Sequence, residues 1–146
     1  MIVRPYQESD RPFLRTLYLA SRKQAWPWLT STGWQLEDFD RDVIGETVLV
    51  ADEDGRPVGF ASVFEAENFL HNLFVAPEAQ GRGVGLALLE AAQATFTHTG
   101  ALKCLVRNEH ALRFYQRHGW ERVSRGTAPK GDYYLLHYRL APKKEG

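Results

Sequence analysis

The sequence QGRGVG, residues 80–85, places glycine at every second position between two segments of different periodicity. Before it, FLHNLFV (Phe69–Val75) is rich in aromatic and β-branched residues and predicts a strand that Pro77 ends. After it, residues 83–98 carry apolar side chains at helical spacing, and Gly100 is expected to end this helix. A strand, a glycine-rich turn and a helix in this order predict a backbone that approaches a ligand closely.

Three kinds of site could explain this loop. A nucleotide-binding P-loop requires a lysine followed by Ser or Thr after the last glycine, whereas Leu86 and Ala87 stand here. A dinucleotide-binding loop requires a wider spacing of the third glycine and a later acidic residue, which 101–107 lacks. The third is an anion site, in which N–H groups and the helix macrodipole attract a diphosphate and Arg82 supplies a charged donor. A plain turn needs only one glycine, so three glycines favour the anion site.

The rest of the chain predicts a mixed α/β fold. β-Branched and aromatic runs indicate strands, helical spacing indicates helices, and Asp54-Gly55 is a hairpin signal. Ser9 or Asp10 is expected to cap the first helix. Hairpin strands followed by β-α-β-α units predict a sheet that is antiparallel early in the chain and parallel around the two late helices. The predicted order is β-α-α-β-β-β-α-β-α-β-β, with strands at 2–6, 47–51, 58–64, 69–75, 102–106, 120–126 and 133–140.

Length and composition are those of an ordinary globular protein. The 146 residues suffice for one domain, which we assign to 1–140, followed by a loose tail at 141–146. The formal net charge of zero argues against a nucleic-acid or membrane surface, and the single cysteine, Cys104, argues against disulfides or a cysteine-rich zinc site. No apolar run approaches the ~20 residues of a membrane helix, and the first ten residues lack the pattern of a secretory signal. We therefore expect a cytoplasmic protein without a metal.

Two segments resemble the GCN5-related N-acetyltransferase (GNAT) family. The sequence LFVAPEAQGRGVGLALL resembles motif A of that family, Gln/Arg-x-x-Gly-x-Gly/Ala, through Gln80, Gly83 and Gly85. The sequence NEHALRFYQRHGWE, which includes a predicted amphipathic helix at 108–118, resembles a later segment of the family. The matching positions there are Asn108, Ala111, Phe114, Tyr115, Gly119 and Trp120. The strand order also agrees, so the resemblance covers nearly the whole chain. It implies the GNAT fold, with a mostly antiparallel sheet that splays at the CoA site and about four flanking helices.

The resemblance implies acetyl-CoA as the co-substrate. The main chain of Phe74 and Val75 would pair with the pantetheine arm as an added strand does, and the N–H of Leu73 or Phe74 would polarise the thioester carbonyl. The pyrophosphate would lie on the N–H groups of the glycine loop. Asn108 would hydrogen-bond the pantetheine, although asparagine there is also a good helix cap. The resemblance assigns cofactor binding to Leu73, Phe74, Val75, Gln80, Gly81, Arg82, Gly83, Val84, Gly85, Leu86, Asn108, Phe114 and Tyr115.

The resemblance also implies direct transfer in a ternary complex, with Tyr115 donating a proton to the departing CoA thiolate. The alternative for this tyrosine is an aromatic core role with a satisfied hydroxyl. An amine is protonated at neutral pH, so a base must take its proton, and the candidates are Glu67 and His71, directly or through a water. If the strand is regular, His71 shares a face with Leu73, whereas a β-bulge would change that arrangement.

The acceptor is the least constrained part of the prediction. Trp26, Trp28 and Trp34 lie where the family varies its substrate lid. They predict either the walls of a pocket for an apolar or cationic acceptor, or core residues beneath the sheet. Small molecules, peptides and protein lysines stay open as acceptors, and so does a homodimer, which is frequent among relatives. A non-catalytic acyl-CoA-binding module on the same fold and a dinucleotide-binding oxidoreductase are the alternative functions.

Overall fold

The computed structural model describes residues 1–29 and 33–140, and within them the predicted order of helices and strands is confirmed. The predicted loose tail, 141–146, lies outside the described residues. In the part of the chain that the structure describes, no helix is long and apolar enough to cross a membrane. The strands are β1 (Ile2–Pro5), β2 (Thr47–Glu53), β3 (Arg56–Phe64), β4 (Phe69–Val75), β5 (Gly100–Leu105), β6 (Trp120–Ala128) and β7 (Gly131–Tyr138), and the helices are α1 (Arg11–Ala25), α2 (Asp38–Asp42), α3 (Val84–Gln93) and α4 (Glu109–Arg117).

The strands form one sheet in the order β1-β2-β3-β4-β5-β7-β6. Neighbouring strands are antiparallel except β4 and β5, which are parallel. The expected parallel arrangement is therefore confirmed by pairing around α3, whereas around α4 the strands β5 and β6 run in the same direction but are not paired. The β6–β7 hairpin places β7 beside β5, so β6 forms the edge of the sheet and does not pair with β5. The predicted hairpin turn joins β2 to β3, with φ of 54° at Asp54 and 84° at Gly55, as a type I′ turn requires.

Strands β4 and β5 part soon after they meet. They share one register pair, Phe69 with Ala101, and the Ala101 N–H donates to the carbonyl oxygen of Asn68 at 2.9 Å. Beyond that pair, the second half of β4 keeps β3 on one edge, while no residue of β5 pairs with it on the other. The sheet therefore opens into a gap, the β4–β5 cleft, which agrees with the expected splay.

Helices cover both faces of the β1–β4 half of the sheet. On one face, Phe60 of β3 packs against Tyr18 of α1 and Phe39 of α2, with ring centroids 5.8 and 5.4 Å apart. On the other face, α3 lies so close to Gly59 that a Cβ there would be 3.0 Å from the side chain of Leu88. Because β3 is buried along most of its length, β4 rests on a well-packed neighbour and forms a fixed wall of the cleft.

Helix α3 is shorter than its sequence predicts, since it ends at Gln93 and not at residue 98. The hydroxyl of Thr95 donates to the carbonyl oxygen of Ala92 at 2.7 Å, and the last turn tightens. Phe96 then turns inward, where a Cβ on Gly100 would lie 2.2 Å from its ring. Gly100 is therefore the first residue of β5, kept small by Phe96, and the expected role as a helix terminator is wrong.

The N-terminus of α1 also differs from expectation. Asp10 occupies the N-cap position, but its side chain makes no capping bond to α1. Its carboxylate instead accepts hydrogen bonds from Arg4 at 2.8 and 2.9 Å and from the N–H of Gln7 at 2.8 Å. A buried carboxylate is stabilised more by a guanidinium than by a single N–H, so Asp10 pairs with Arg4 and does not cap α1. The pairing connects β1 to the turn before α1.

Candidate active site

The glycine loop, residues 80–85, connects the end of β4 to α3. Gly81 and Gly83 have φ angles of 79° and 82°, in the left-handed region that other residues avoid. Gly83 is the N-cap of α3, and a Cβ on either glycine would meet nothing within 4 Å. These two glycines are therefore required by the backbone conformation and not by crowding.

The first turn of α3 leaves its N–H groups without acceptors. The Ala87 N–H donates to the carbonyl oxygen of Gly83 at 3.1 Å, which is the first hydrogen bond to enter the helix. No described residue accepts a hydrogen bond from the N–H groups of residues 81–86. Consecutive free N–H groups at the positive end of a helix dipole form a site for an anion.

Side chains of the loop fix its position. Gln80 donates to the carbonyl oxygen of Val75 at 3.2 Å and to Oε1 of Gln24 on α1 at 2.8 Å. Arg82 pairs with Glu53 of β2 at 3.1 Å, and both side chains are partly exposed. Gln80 thus anchors the loop to β4 and α1, while Arg82 contacts Glu53 through Nη1 alone and keeps its other N–H donors free of that contact.

The main chain of β4 alternates between β3 and the cleft. The Ala76 N–H donates to the carbonyl oxygen of Val58 at 2.8 Å, so the Val75 carbonyl, on the same trans peptide, points away from β3. Counting back from Ala76, the alternation of an antiparallel ladder makes Phe74, opposite Phe60, the next residue whose N–H and C=O face β3. By this alternation, Leu73 and Val75 turn their N–H and C=O groups toward the cleft, and Phe74 does not. Leu73 and Val75, rather than Phe74, therefore have main-chain groups free for a ligand.

Helix α4 lies on the other side of the cleft. Its N-cap is Asn108, whose Oδ1 accepts from the Ala111 N–H at 3.3 Å, so the capping role is confirmed. A Cβ on Gly85 would lie 3.6 Å from the ring of Phe114. That is an ordinary van der Waals distance, so crowding does not require the third glycine of the loop, and α3 and α4 lie side by side next to the end of β4.

Tyr115 lies two helical turns after Asn108 and is half buried. Its ring centroid lies 6.1 Å from that of Trp120. Burial raises the pKa of Tyr115 above its ordinary value, and its hydroxyl donates to no described residue. Tyr115 is therefore a protonated phenol whose hydroxyl donates no hydrogen bond to another described side chain. The alternative role, an aromatic core residue with a hydrogen-bonded hydroxyl, does not agree with this.

Glu46 and His71 form a contact that the sequence did not reveal. Nδ1 of His71 lies 2.7 Å from Oε2 of Glu46, which is 25 residues earlier in the chain. The Glu46 side chain is only 11% exposed, and its other oxygen, Oε1, is buried with no partner among the described residues. A carboxylate in this position favours the imidazole form with a proton on Nδ1 and orients the ring. An isolated acidic residue before β2 gives no local signal of this pairing.

A β-bulge places His71 differently from a regular strand. The register of β3 with β4 shifts by one residue at His71, which is therefore the additional residue of the bulge. Phe69 lies opposite Phe64 and Leu73 lies opposite Ala61, and because Phe64 and Ala61 are three residues apart on β3, Phe69 and Leu73 point to opposite faces. The ring of His71 lies against that of Phe69, with centroids 6.3 Å apart, so it does not share a face with Leu73 as a regular strand would require. Glu67 lies in the exposed turn Glu65–Glu67 before β4, at the end away from the glycine loop.

The three tryptophans lie over the cleft. Trp26, Trp28 and Trp34 are partly buried and lie outside the buried core. The ring of Trp26 packs edge-on against Phe74 of β4, with centroids 5.9 Å apart, and against Trp34 at 6.1 Å. The guanidinium of Arg107, in the loop after β5, lies 4.6 Å from the ring of Trp28. The tryptophans therefore connect β4 to the β5 side, which favours their interpretation as pocket walls.

Cys104 is buried in β5, as its apolar surroundings predict. Burial raises the pKa of its thiol to about 12, so the side chain is a neutral thiol. Among residues 1–29 and 33–140, no three His, Cys, Asp or Glu side chains lie close enough to hold a metal ion.

A mostly antiparallel sheet that opens beside a helix N-terminus with free N–H groups agrees with the GNAT fold that the two sequence segments imply. The family model of the acetyltransferase (GNAT) domain matches residues 45–122, more than half of the chain. The protein belongs to this family and is a GNAT-type acetyltransferase. That membership excludes the dinucleotide-binding oxidoreductase that the glycine loop left open.

Relatives agree with this assignment. The chain is 33% identical over 125 residues to the peptidyl-lysine N-acetyltransferase YiaC of Escherichia coli K12, and the match covers 84% of each chain. Its fold is similar to the GCN5-related N-acetyltransferase "Aminotransferase, Class-II" from Rhodopseudomonas palustris, with a TM-score of 0.77, 24% identity and 95% of each chain covered. It is also similar to yncA of Salmonella typhimurium, solved with its cofactor acetyl-CoA. That match has a TM-score of 0.71 and 20% identity, and covers 100% of this chain and 97% of the other.

Proposed function

We propose that the protein transfers the acetyl group of acetyl-CoA to the side-chain amine of a peptidyl lysine, by direct attack in a ternary complex. The observation that carries this proposal is the β4–β5 cleft, which ends at the free N–H groups of residues 81–86. The choice of lysine is supported by the relative that is a peptidyl-lysine N-acetyltransferase. The tryptophans over the cleft also suit a cationic side chain, because indole faces attract ammonium groups.

The chain offers matching surfaces to the pyrophosphate, the pantetheine arm and the thioester of acetyl-CoA. The N–H groups of residues 81–86 hold the pyrophosphate, and Arg82 adds a charge through the N–H donors that Glu53 does not contact. The main chain of Leu73 and Val75 binds the pantetheine arm as an added strand, and the Asn108 side chain supports the same arm. The N–H of Leu73 polarises the thioester carbonyl, where negative charge develops during attack.

His71 removes the proton of the acceptor amine, directly or through a water. The contact between Nδ1 and Glu46 places the ring proton on that nitrogen, so Nε2 is left as the acceptor of a proton. Glu46 touches neither the acceptor nor the thioester, and it acts as a positioning residue for His71. Glu67 is a weaker candidate, because its exposed turn lies at the opposite end of β4 from the glycine loop.

Tyr115 donates the proton that CoA needs as it leaves. Its raised pKa keeps the hydroxyl protonated across the physiological range. A raised pKa also makes the phenol a weaker acid. Burial, however, raises the pKa of the departing CoA thiol as well, and the raised pKa of the buried Cys104 thiol in the same region illustrates this effect. The two effects offset each other, so the transfer stays feasible.

Two measurements test the proposal. Steady-state assays with acetyl-CoA compare a peptide that contains one internal lysine with the same peptide carrying arginine in its place. We expect acetyl transfer to the lysine peptide alone, and transfer only to small-molecule amines would refute the acceptor class. Thermal shift with CoA tests the cleft separately, since a ligand that binds the native state raises the melting temperature. Absence of a shift at millimolar CoA would refute the assignment of the cleft.

A further inference from the structure

A lysine of the protein itself lies beside the aromatic wall of the cleft. Lys130 is in the turn between β6 and β7, and its Nζ lies 4.4 Å from the centroid of the Trp26 ring. The same indole packs against Phe74 of β4, with centroids 5.9 Å apart. One tryptophan ring therefore separates the Lys130 amine from the strand that binds the thioester in the proposed function.

The surroundings of Lys130 favour a reactive amine. Burial of the amine end lowers the pKa of Lys130; Asp42 raises it, while the positive charges of Arg22 and Arg41 lower it further. Lys130 as a whole residue is exposed at the turn, and Gly131 follows it with φ of 127°. The lowered pKa increases the neutral fraction of the amine at a given pH, and the four-carbon side chain can swing without moving either strand.

We propose that the protein acetylates its own Lys130 by intramolecular transfer when no other acceptor occupies the cleft. The inference rests on the proposed function, because it uses the same acetyl-CoA site. The neutral Nζ attacks the thioester carbonyl carbon and forms the C–N bond of the amide. The C–S bond breaks, the proton lost from nitrogen goes to His71, and CoA leaves as a thiol with the proton of Tyr115. Acetyl-Lys130 carries no charge, so modification removes the ammonium group from the face of Trp26.

The chain offers two internal controls. Lys103 of β5 is exposed and also contacts an aromatic ring, with its Nζ 5.0 Å from the centroid of Tyr133. Lys23, in the last turn of α1, is exposed. If aromatic contact or exposure alone caused modification, Lys103 or Lys23 would react as Lys130 does.

The test is incubation of the purified protein with acetyl-CoA and no acceptor, followed by mass spectrometry of each lysine over time. We expect Lys130 to be modified at least about tenfold faster than Lys23 and Lys103, because proximity makes its reaction unimolecular. The rate should not change with protein concentration, and Tyr115→Phe should slow it. Trp26→Ala should slow it as well, while Lys130→Arg should leave no fast site.

The outcomes separate this inference from the proposed function. Equal rates at the three lysines, a rate proportional to protein concentration, or indifference to Tyr115→Phe would overturn self-acetylation. The lysine-peptide assay and the CoA thermal shift run on the same sample. If both succeed while Lys130 stays unmodified, this inference alone fails. If both fail, the proposed function fails and self-acetylation fails with it.

Discussion

Oε2 of Glu46 lies 2.7 Å from Nδ1 of His71 and joins the residue before β2 to the bulge of β4. The carboxylate is nearly covered, whereas the imidazole is partly exposed. The contact therefore fixes the Nδ1 edge of the ring and leaves Nε2 available to accept a proton.

The contact predicts the effect of Glu46→Gln. The amide can meet either imidazole tautomer, so His71 loses its fixed orientation, and kcat should fall about ten- to a hundredfold with little change in the KM for acetyl-CoA. The same change in a His71→Gln background should have no further effect, because the role of Glu46 passes through the ring. Glu67→Gln is the matched control and should stay near the parent rate. Additive losses in the double variant would show that Glu46 does not act through His71.

The variant Tyr115→Phe tests the proposed role of Tyr115 as the proton donor to the departing CoA thiolate. Removing the hydroxyl should lower kcat about a hundredfold or more, the usual contribution of a positioned acid. CoA affinity and the melting temperature should change little, since the hydroxyl donates to no described residue. Because burial raises the pKa of Tyr115 above its ordinary value near 10, the parent enzyme should show no basic decline in rate from this group up to about pH 10. A decline between pH 8 and 9 that Tyr115→Phe abolishes would contradict this assignment.

Gly83→Ala tests the loop conformation. The position has φ of 82° and open space around the missing Cβ, so the cost is backbone strain of about 1–2 kcal/mol. We expect a lower melting temperature and weaker CoA binding by calorimetry, because the strained loop no longer presents its N–H groups. Gly33→Ala is the control, since Gly33 also has open space but no positive φ. It should change the free energy of unfolding by less than about 0.5 kcal/mol. Equal effects at the two positions would argue against the left-handed requirement.

Burial of the Cys104 thiol makes the free energy of unfolding depend on pH. Its pKa is raised from 9.0 to about 12, so the native state holds this proton more tightly than the unfolded state does. The resulting stabilisation is present below pH 9 and is lost as pH rises from 9 towards 12. Denaturant titrations should show a steeper loss of stability over this range in the parent than in Cys104→Ala. At pH 8 a thiol reagent should modify the native protein far more slowly than the denatured one, and rapid native modification would contradict the burial.

Much of the fold could be predicted because its signals are local. The glycine loop, the Asp54-Gly55 turn and the periodicity of each segment lie within a few residues, and they gave the correct order of elements. The end of α3 was mispredicted because Phe96 is drawn inward against Gly100 and Trp120, a contact that helical spacing cannot show. The bulge at His71 was missed for a related reason, since the register of a strand depends on its neighbour.

The sequence by itself determined the order of helices and strands, because turn residues and apolar periodicity act through the backbone conformation of their own segments, and its two family-like segments indicated the class of the protein. Only the tertiary structure decided which charged and aromatic side chains meet. The contacts of Glu46 with His71 and of Lys130 with Trp26 join residues far apart in the chain. Such contacts follow from how the sheet, its hairpin and α1 pack together, and packing is a property of the whole chain rather than of any one stretch.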